Sequence, residues 1–333
     1  VKQAEKLLHV SNLFQIQPQA ELAEVLCQKT FADKVFFCNS GAEANEGAVK
    51  LARKWGKKNR GENCFEIITM GGSFHGRTLA MITASGQEKL KKGFEPLVPG
   101  FKTVPFGDFE SVRQAVTEKT CAVLLEPVQG EGGVRIALAS YFKQLRDLCT
   151  EKKILLIFDE VQTGMGRTGT FLAHEQIGIR PDMVTMAKGL AGGLPIGALL
   201  ATDAVAETFQ PGDHAATFGG NPFVTSVASA VIETLYDDGL LDHTVEMGQF
   251  FLKGLKGLQA KYSFIKEVRG VGLLIGAELT IPAKPIVLKM LEEGVLINAV
   301  QEKVLRFLPP LVIQQGQIEE GLEILDEVLA TIS

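Results

Sequence analysis

The 333-residue chain predicts an α/β fold: a mainly parallel sheet covered on both faces by helices, followed by a smaller α+β domain at the C-terminus. Three observations carry this expectation. Short apolar or β-branched runs alternate with longer amphipathic segments through the first 239 residues, the pattern of strands buried on both faces and joined by crossover helices. After Gly239 the strands become fewer and their order changes. The length is sufficient for two domains, each with its own core.

Taken in order, the expected strands of the first unit are Lys34–Cys38, Cys64–Met70, Ala122–Glu126, Ile154–Asp159, Met183–Met186 and Ala198–Ala201. Between and after them, helical periodicity covers Glu43–Lys58, Phe109–Thr117, Ala139–Lys152 and Pro222–Asp237. The boundary is placed between residues 239 and 240, giving units 1–239 and 240–333. In the second, Leu240–Lys261 reads as one long amphipathic helix. Strands are expected at Val271–Leu279, Gly294–Asn298 and Val304–Leu308, with helices at Lys284–Glu293 and Gln317–Ile332. The chain opens on Val1-Lys2-Gln3 inside a helical pattern and without an initiator methionine, so the protein is expected to begin earlier.

Composition narrows the function classes. A net charge of −5 argues against a nucleic-acid groove, because neutralising phosphates requires clustered Lys and Arg. Five cysteines without a C-x-x-C pair, and histidines never at metal-ligand spacing, argue against a disulfide framework or a zinc site and favour a reducing compartment. No apolar stretch reaches the length of a membrane span.

Lys188 is the most informative residue. It ends an apolar run, is followed by glycines, and comes after Ile154–Asp159, a run that closes on an acid. Desolvation lowers a lysine's pKa and frees its lone pair for Schiff-base chemistry. A carboxylate such as Asp159 is the partner that keeps a pyridine nitrogen protonated in pyridoxal phosphate. A lone lysine at a strand–loop junction would be read as structural; further motifs change that balance.

The run Asn39-Ser40-Gly41-Ala42-Glu43 follows a strand and opens a helix, where unsatisfied amides can hold a phosphate, although Ser40 could equally serve as a simple cap. Ser73-Phe74-His75-Gly76-Arg77 offers an aromatic wall and a bidentate guanidinium, or merely a loop with a half-buried phenylalanine. Glu126-Pro127-Val128-Gln129-Gly130-Glu131 lies where α/β sheets bind ligands. Asp159-Glu160 invites a nucleotide-hydrolase reading, which fails because the chain contains no G-x-x-x-x-G-K-[ST] string. His214-Ala215-Ala216-Thr217 is a loop leading into a helix, with Thr217 a plausible phosphate donor or an ordinary turn residue.

Together and in this order, these motifs resemble the class III aminotransferases of PLP fold type I, and most closely the acetylornithine/ornithine aminotransferase group. The resemblance extends from about Leu8 to the C-terminus. It implies a seven-stranded, mainly parallel sheet and pyridoxal 5′-phosphate as cofactor. It further implies that Lys188 binds the cofactor aldehyde and Asp159 the ring nitrogen. Val161 and Phe74 would pack on the two faces of the ring, with His75 beside Phe74 and Gln162 near the phenolic oxygen. Ser40, Gly41 and Ala42 would hold the phosphate, and Thr217 would reach the phosphate bound mainly by the other subunit of a homodimer. Arg77 and Arg306 would receive substrate carboxylates, and Glu131 would pair with Arg306 when the amine donor is bound. Ala42 stands where relatives often carry a hydroxyl. So does Ala216, at a substrate-facing position, which weakens the choice of acetylornithine. The family's N-terminal segment, which helps form the substrate mouth, has no counterpart in this sequence.

The implied activity is transfer of the terminal amine of an acylated ornithine to 2-oxoglutarate by a cytoplasmic homodimer. Ornithine, succinylornithine, 4-aminobutyrate or an acylated lysine are the alternative donors. A non-catalytic dimer that binds cofactor structurally is the alternative of another class, and the complete set of Lys188, Asp159, Arg77 and Arg306 speaks against it.

Overall fold

The computed structural model describes residues 1–332; Ser333, the last residue of the expected second unit, lies outside them. Seven strands form the larger sheet: β1 (Lys34–Cys38), β2 (Glu66–Met70), β3 (Phe101–Val104), β4 (Thr120–Leu125), β5 (Leu155–Asp159), β6 (Met183–Met186) and β7 (Gly197–Ala201). Their order is β1-β7-β6-β5-β4-β2-β3. Pairings from β6 through β3 are parallel, whereas β7 runs antiparallel to both β6 and β1. β1 therefore points the same way as β6, and every strand but β7 ends on one edge of the sheet.

Successive residues of a strand face opposite sides, and here both sides are apolar. Ile67, Leu124, Leu155, Ile157, Met183 and Leu199 pack on one side against Ala48, Leu51 and Ala52 of the helix Gly41–Arg60. Their neighbours Ile68, Val123, Leu125, Leu156, Phe158, Val184 and Leu200 pack on the other, against Leu22 and Leu26 of Gln17–Lys29 and Phe142 and Leu145 of Ala139–Lys152. This two-sided burial makes the runs uniformly hydrophobic and hence readable as strands.

A smaller antiparallel sheet follows, ordered β8-β9-β11-β10, from β8 (Ile265–Val271), β9 (Leu274–Leu279), β10 (Asn298–Val300) and β11 (Val304–Phe307). Helices Leu240–Lys261, Lys284–Glu292 and Gln315–Ala330 share with it a second core that includes Phe251, Leu255, Ile275, Leu305 and Leu325.

Several expected elements shift. The single strand expected at Val271–Leu279 is the second arm of a hairpin. Gly272 turns the chain at φ +54, a left-handed conformation that glycine adopts without steric penalty, and Val271 then pairs with Leu274. The strand expected at Gly294–Asn298 begins only at Asn298, because Gly294 (φ +80) closes the preceding helix. Edge strand β3 was not expected: it is short, and Lys102 and Thr103 break its apolar run. The helix expected from Glu43 starts two residues earlier, at Gly41, where Ser40 caps it.

Candidate active site

The sheet direction places the chemistry-bearing loops together. Asp159 ends β5, Glu126 follows β4, Ser73–Arg77 follows β2, Ser40 follows β1, and Lys188 comes two residues after β6. All lie beyond the C-terminal ends of co-directed strands, where open α/β sheets form ligand crevices. A cavity of about 470 Å³ opens there, lined by Ser40, Gly41, Ala42, Phe74, His75, Arg77, Glu126, Asp159, Val161, Gln162 and Lys188. A second cavity of about 390 Å³ shares Val161, Gln162 and Lys188 with the first and adds Glu131 and Arg306. Lys188 thus stands between the two.

Asp159 is 3% exposed, and three donors converge on it. Asn45 Nδ2 donates to Oδ2 at 2.7 Å, the Val161 amide to Oδ1 at 3.0 Å, and His75 Nδ1 lies 2.7 Å from Oδ2. Because Asp159 accepts, the ring proton of His75 is assigned to Nδ1. Thr185 Oγ1 in turn donates to Asn45 Oδ1 at 2.7 Å, so a buried chain of side chains fixes the acid. His75 Nε2 is buried and has no partner among the described residues. The next residue, Glu160, faces the opposite side of the sheet. It accepts from the amides of Ala173 and His174 at 2.6 and 2.9 Å, from Thr163 Oγ1 at 3.0 Å, and lies 2.9 Å from His174 Nδ1. Of the two adjacent acids, one therefore lines the cavity and the other anchors the loop that follows.

Lys188 is accessible to solvent, but the solvent it meets is that of the cavity. Crowding by protein pulls its amine pKa down, an effect that the nearby carboxylates of Asp159, Glu126 and Glu131 only partly offset. Its backbone is left-handed, at φ +44. A non-glycine residue held in that region stores strain of order 1–3 kcal/mol and persists only where its surroundings require it.

Gly41, the first residue of its helix, sits against Val161: a Cβ there would lie 2.7 and 2.9 Å from the valine's methyls. Gly41 and Ala42, the first two residues of this 20-residue helix, line the cavity, while Ser40 Oγ is engaged as the cap, accepting from the Glu43 amide at 3.2 Å. Phe74 forms part of the wall. Arg77 is exposed at the rim, its guanidinium 5.5 Å from the centre of the Phe74 ring.

Arg306, on β11, is 6% exposed. Its Nη1 donates to Glu131 Oε1 at 2.7 Å and to Gln162 Oε1 at 3.2 Å, while Nε donates to Asn298 Oδ1 at 3.2 Å. The smaller sheet thus delivers a cation to the larger sheet's crevice, held by a carboxylate of the β4 loop. Thr217 and Ala216 are not brought to Lys188 within the chain; they line a separate cavity with Asn12, Phe36 and His214.

The donor set fits pyridoxal phosphate: a low-pKa amine, a buried acid whose own donors hold it in place, open helix-start amides for an anion, and an apolar wall. Asn45, Thr185 and Asn298 also belong to the site, although no motif in the sequence marks them. A signal for Asn45 existed, since it lies on the same helix stripe as the buried Ala44, Ala48 and Ala52, where an amide demands a partner.

A family model described as Aminotransferase class-III matches residues 1–329. The chain belongs to the class-III aminotransferase family. It is 51% identical to the acetylornithine aminotransferase of Methanocaldococcus jannaschii over 99% of this chain and 83% of that protein. Among solved structures, it resembles the N-acetylornithine aminotransferase of Stenotrophomonas maltophilia with a TM-score of 0.86 at 38% identity, covering 99% of this chain and 84% of that one. It also resembles an ornithine aminotransferase of Toxoplasma gondii (TM-score 0.95, 33% identity, 99% and 80% covered), whose structure reveals partial occupancy of PLP at the active site.

Proposed function

We propose that the chain is a pyridoxal-phosphate-dependent transaminase that transfers the terminal amino group of N-acetylornithine to 2-oxoglutarate, giving N-acetylglutamate semialdehyde and glutamate. The observation that carries this reading is the combination of 51% identity, over 99% of this chain, to an acetylornithine aminotransferase with a crevice that holds Lys188, Asp159 and the Arg306–Glu131 pair together.

When bound, pyridoxal phosphate supplies an aldehyde that takes up an amino group and a ring that accepts electrons. Ser40, Gly41 and Ala42 would hold its phosphate, with Thr217 of a second subunit completing the cradle, and Val161 and Phe74 would enclose the ring. Asp159 would hold the proton at the ring nitrogen. His75 and Asn45 keep that carboxylate aimed, and His75 contributes to cofactor binding through this contact. Gln162 would lie near the phenolic oxygen. The Lys188 amine, whose charged form burial disfavours, would take a proton from the substrate carbon and return it one position away. Arg306 is the grip for the α-carboxylate of the acceptor. Glu131 occupies that grip until a dicarboxylate displaces it, so that one crevice can serve two substrates of different charge. Arg77, at the rim, is placed to receive the donor's remote carboxylate, and Ala216 belongs to the substrate mouth of the assembled dimer.

A homodimer is proposed because Thr217 and Ala216, expected at the site, line a cavity separate from that of Lys188 in their own chain. The division into a cofactor-binding unit, 1–239, and a smaller unit, 240–333, accords with the two separate cores. Cytoplasmic residence is proposed on the five free thiols. No helix among the described residues is long and apolar enough to cross a membrane.

Ornithine is the second reading, favoured by the likeness to the Toxoplasma protein. Steady-state comparison of acetylornithine, ornithine, succinylornithine and 4-aminobutyrate tests the choice. A kcat/KM for acetylornithine at least about tenfold above ornithine, a difference of about 1.4 kcal/mol, supports it, and equal values overturn it.

A further inference from the structure

Two acids line the cavity beside Lys188, and the reading above uses only one. Glu126, the residue after β4, is 5% exposed. Its surroundings differ sharply from those of Asp159. Where Asp159 receives three hydrogen bonds, Glu126 receives one, from the Phe74 amide to Oε2 at 3.2 Å. The charged groups that face it are Asp159 from β5, Lys188 from the turn after β6, and Glu131 from its own loop. Two of the three are acids; the third, the Lys188 amine, is the one cation among them, and burial disfavours its charged form. A carboxylate so placed would be desolvated, singly bonded and repelled by a neighbour.

We propose that Glu126 is a positioning residue that works uncharged: as the acid, it pins the Phe74 amide and so sets the loop carrying Phe74, His75 and Arg77, without placing a second negative charge beside Asp159. Burial, reinforced by Asp159, pushes the Glu126 carboxyl well above the usual range, in line with this geometry. Two carboxyl groups with opposed environments then divide the work, Asp159 holding charge and Glu126 withholding it. One residue sets three parts of the site at once: the ring wall, the imidazole that aims Asp159, and the rim guanidinium. The proposal deepens the reading of this cavity as the cofactor site and rests on it only for the loop's purpose.

The sign of the pH effect follows from linkage. Between the ordinary glutamate pKa, about 4.3, and the raised value, the folded protein binds a proton that the unfolded chain has released. Glu126 therefore costs the wild type stability progressively as pH rises through that window, whereas glutamine, neutral throughout, does not. The experiment compares Tm of the purified wild type and Glu126→Gln at pH 5 and pH 8. The expected result is a Tm advantage for Glu126→Gln that grows from pH 5 to pH 8, reaching at least about 2 °C. An equal or lower Tm for Glu126→Gln at pH 8 overturns the proposal, because an ion-paired carboxylate would be missed. Infrared difference spectra provide a second check: a protonated-carboxyl stretch near neutral pH that disappears in Glu126→Gln supports it, and its absence in the wild type refutes it. For the loop, Glu126→Ala is expected to lose pyridoxal phosphate on gel filtration at least about tenfold faster than wild type, and Glu126→Gln to restore retention; wild-type retention by Glu126→Ala overturns this part. If no pyridoxal phosphate is bound by any form, the proposed function fails, while the Tm and infrared arms still decide the charge of Glu126.

Discussion

The residue that concentrates the most physical tension is Lys188, with a left-handed backbone, a depressed amine pKa and two cavities meeting at its side chain. Relaxing the backbone would move the amine, and admitting bulk water would ease the burial that disfavours its charged form. Asp159 is the converse case, an acid held by more partners than its burial alone requires. Replacing it with alanine leaves the His75 ring proton and one of the two Asn45 amide protons without an acceptor, the other still donating to the His75 carbonyl at 2.8 Å, an expected loss of about 1–3 kcal/mol for each orphaned donor in urea unfolding. The same variant should turn over at least about 10²-fold more slowly, as steady-state rates would reveal. Arg306 and Glu131 form the ion pair proposed as the gate. Glu131→Gln removes the negative competitor, so KM for 2-oxoglutarate is expected to fall while KM for the amine donor rises. Movement of both constants in the same direction would contradict the gate.

At the scale of elements, the first turn of the helix Gly41–Arg60 is the most constrained junction. Gly41→Ala would drive a methyl into Val161 and narrow the entry to the helix-start amides. The expected outcome is a folded protein that loses pyridoxal phosphate on dialysis several times faster than wild type. The Glu160 anchor gives an independent test away from the cavity. Glu160→Ala strips four donors of their acceptor and should cost about 3 kcal/mol or more in denaturant unfolding, with the loop 163–174 becoming protease-sensitive. Elements of this kind differ in how openly the sequence declares them. Strands β1 and β6 and the helices Ala139–Lys152 and Leu240–Lys261 have the bounds that their hydrophobic patterns imply, because each carries its apolar residues in an unbroken run or a regular stripe. Edge strand β3 and the β8–β9 hairpin were hidden. One is too short and polar to register, and the other reverses at Gly272 within what reads as one apolar run.

For the molecule as a whole, the motifs legible along the chain converge because six of the seven strands of the large sheet share a direction, and their ends bring loops 40, 73–77, 126–131, 159–162 and 188 to one crevice. The polar chain Thr185–Asn45–Asp159 was not legible, since residues 45, 159 and 185 meet only through the packing of a helix on the sheet. Thr217 and Ala216 line another cavity in their own chain, and the proposed dimer assigns them to the site of a second subunit. Mixed dimers of Lys188→Ala and Thr217→Ala should therefore contain one intact site and recover activity that neither parent dimer has. No recovery would place Thr217 outside the partner's site. The proposed chemistry begins with a covalent bond between Lys188 and the cofactor. Borohydride reduction of the purified protein, followed by proteolysis and mass spectrometry, reports it directly. A phosphopyridoxyl group on Lys188 is the predicted result; its attachment to another lysine, or the absence of any labelled peptide after incubation with pyridoxal phosphate, would contradict it.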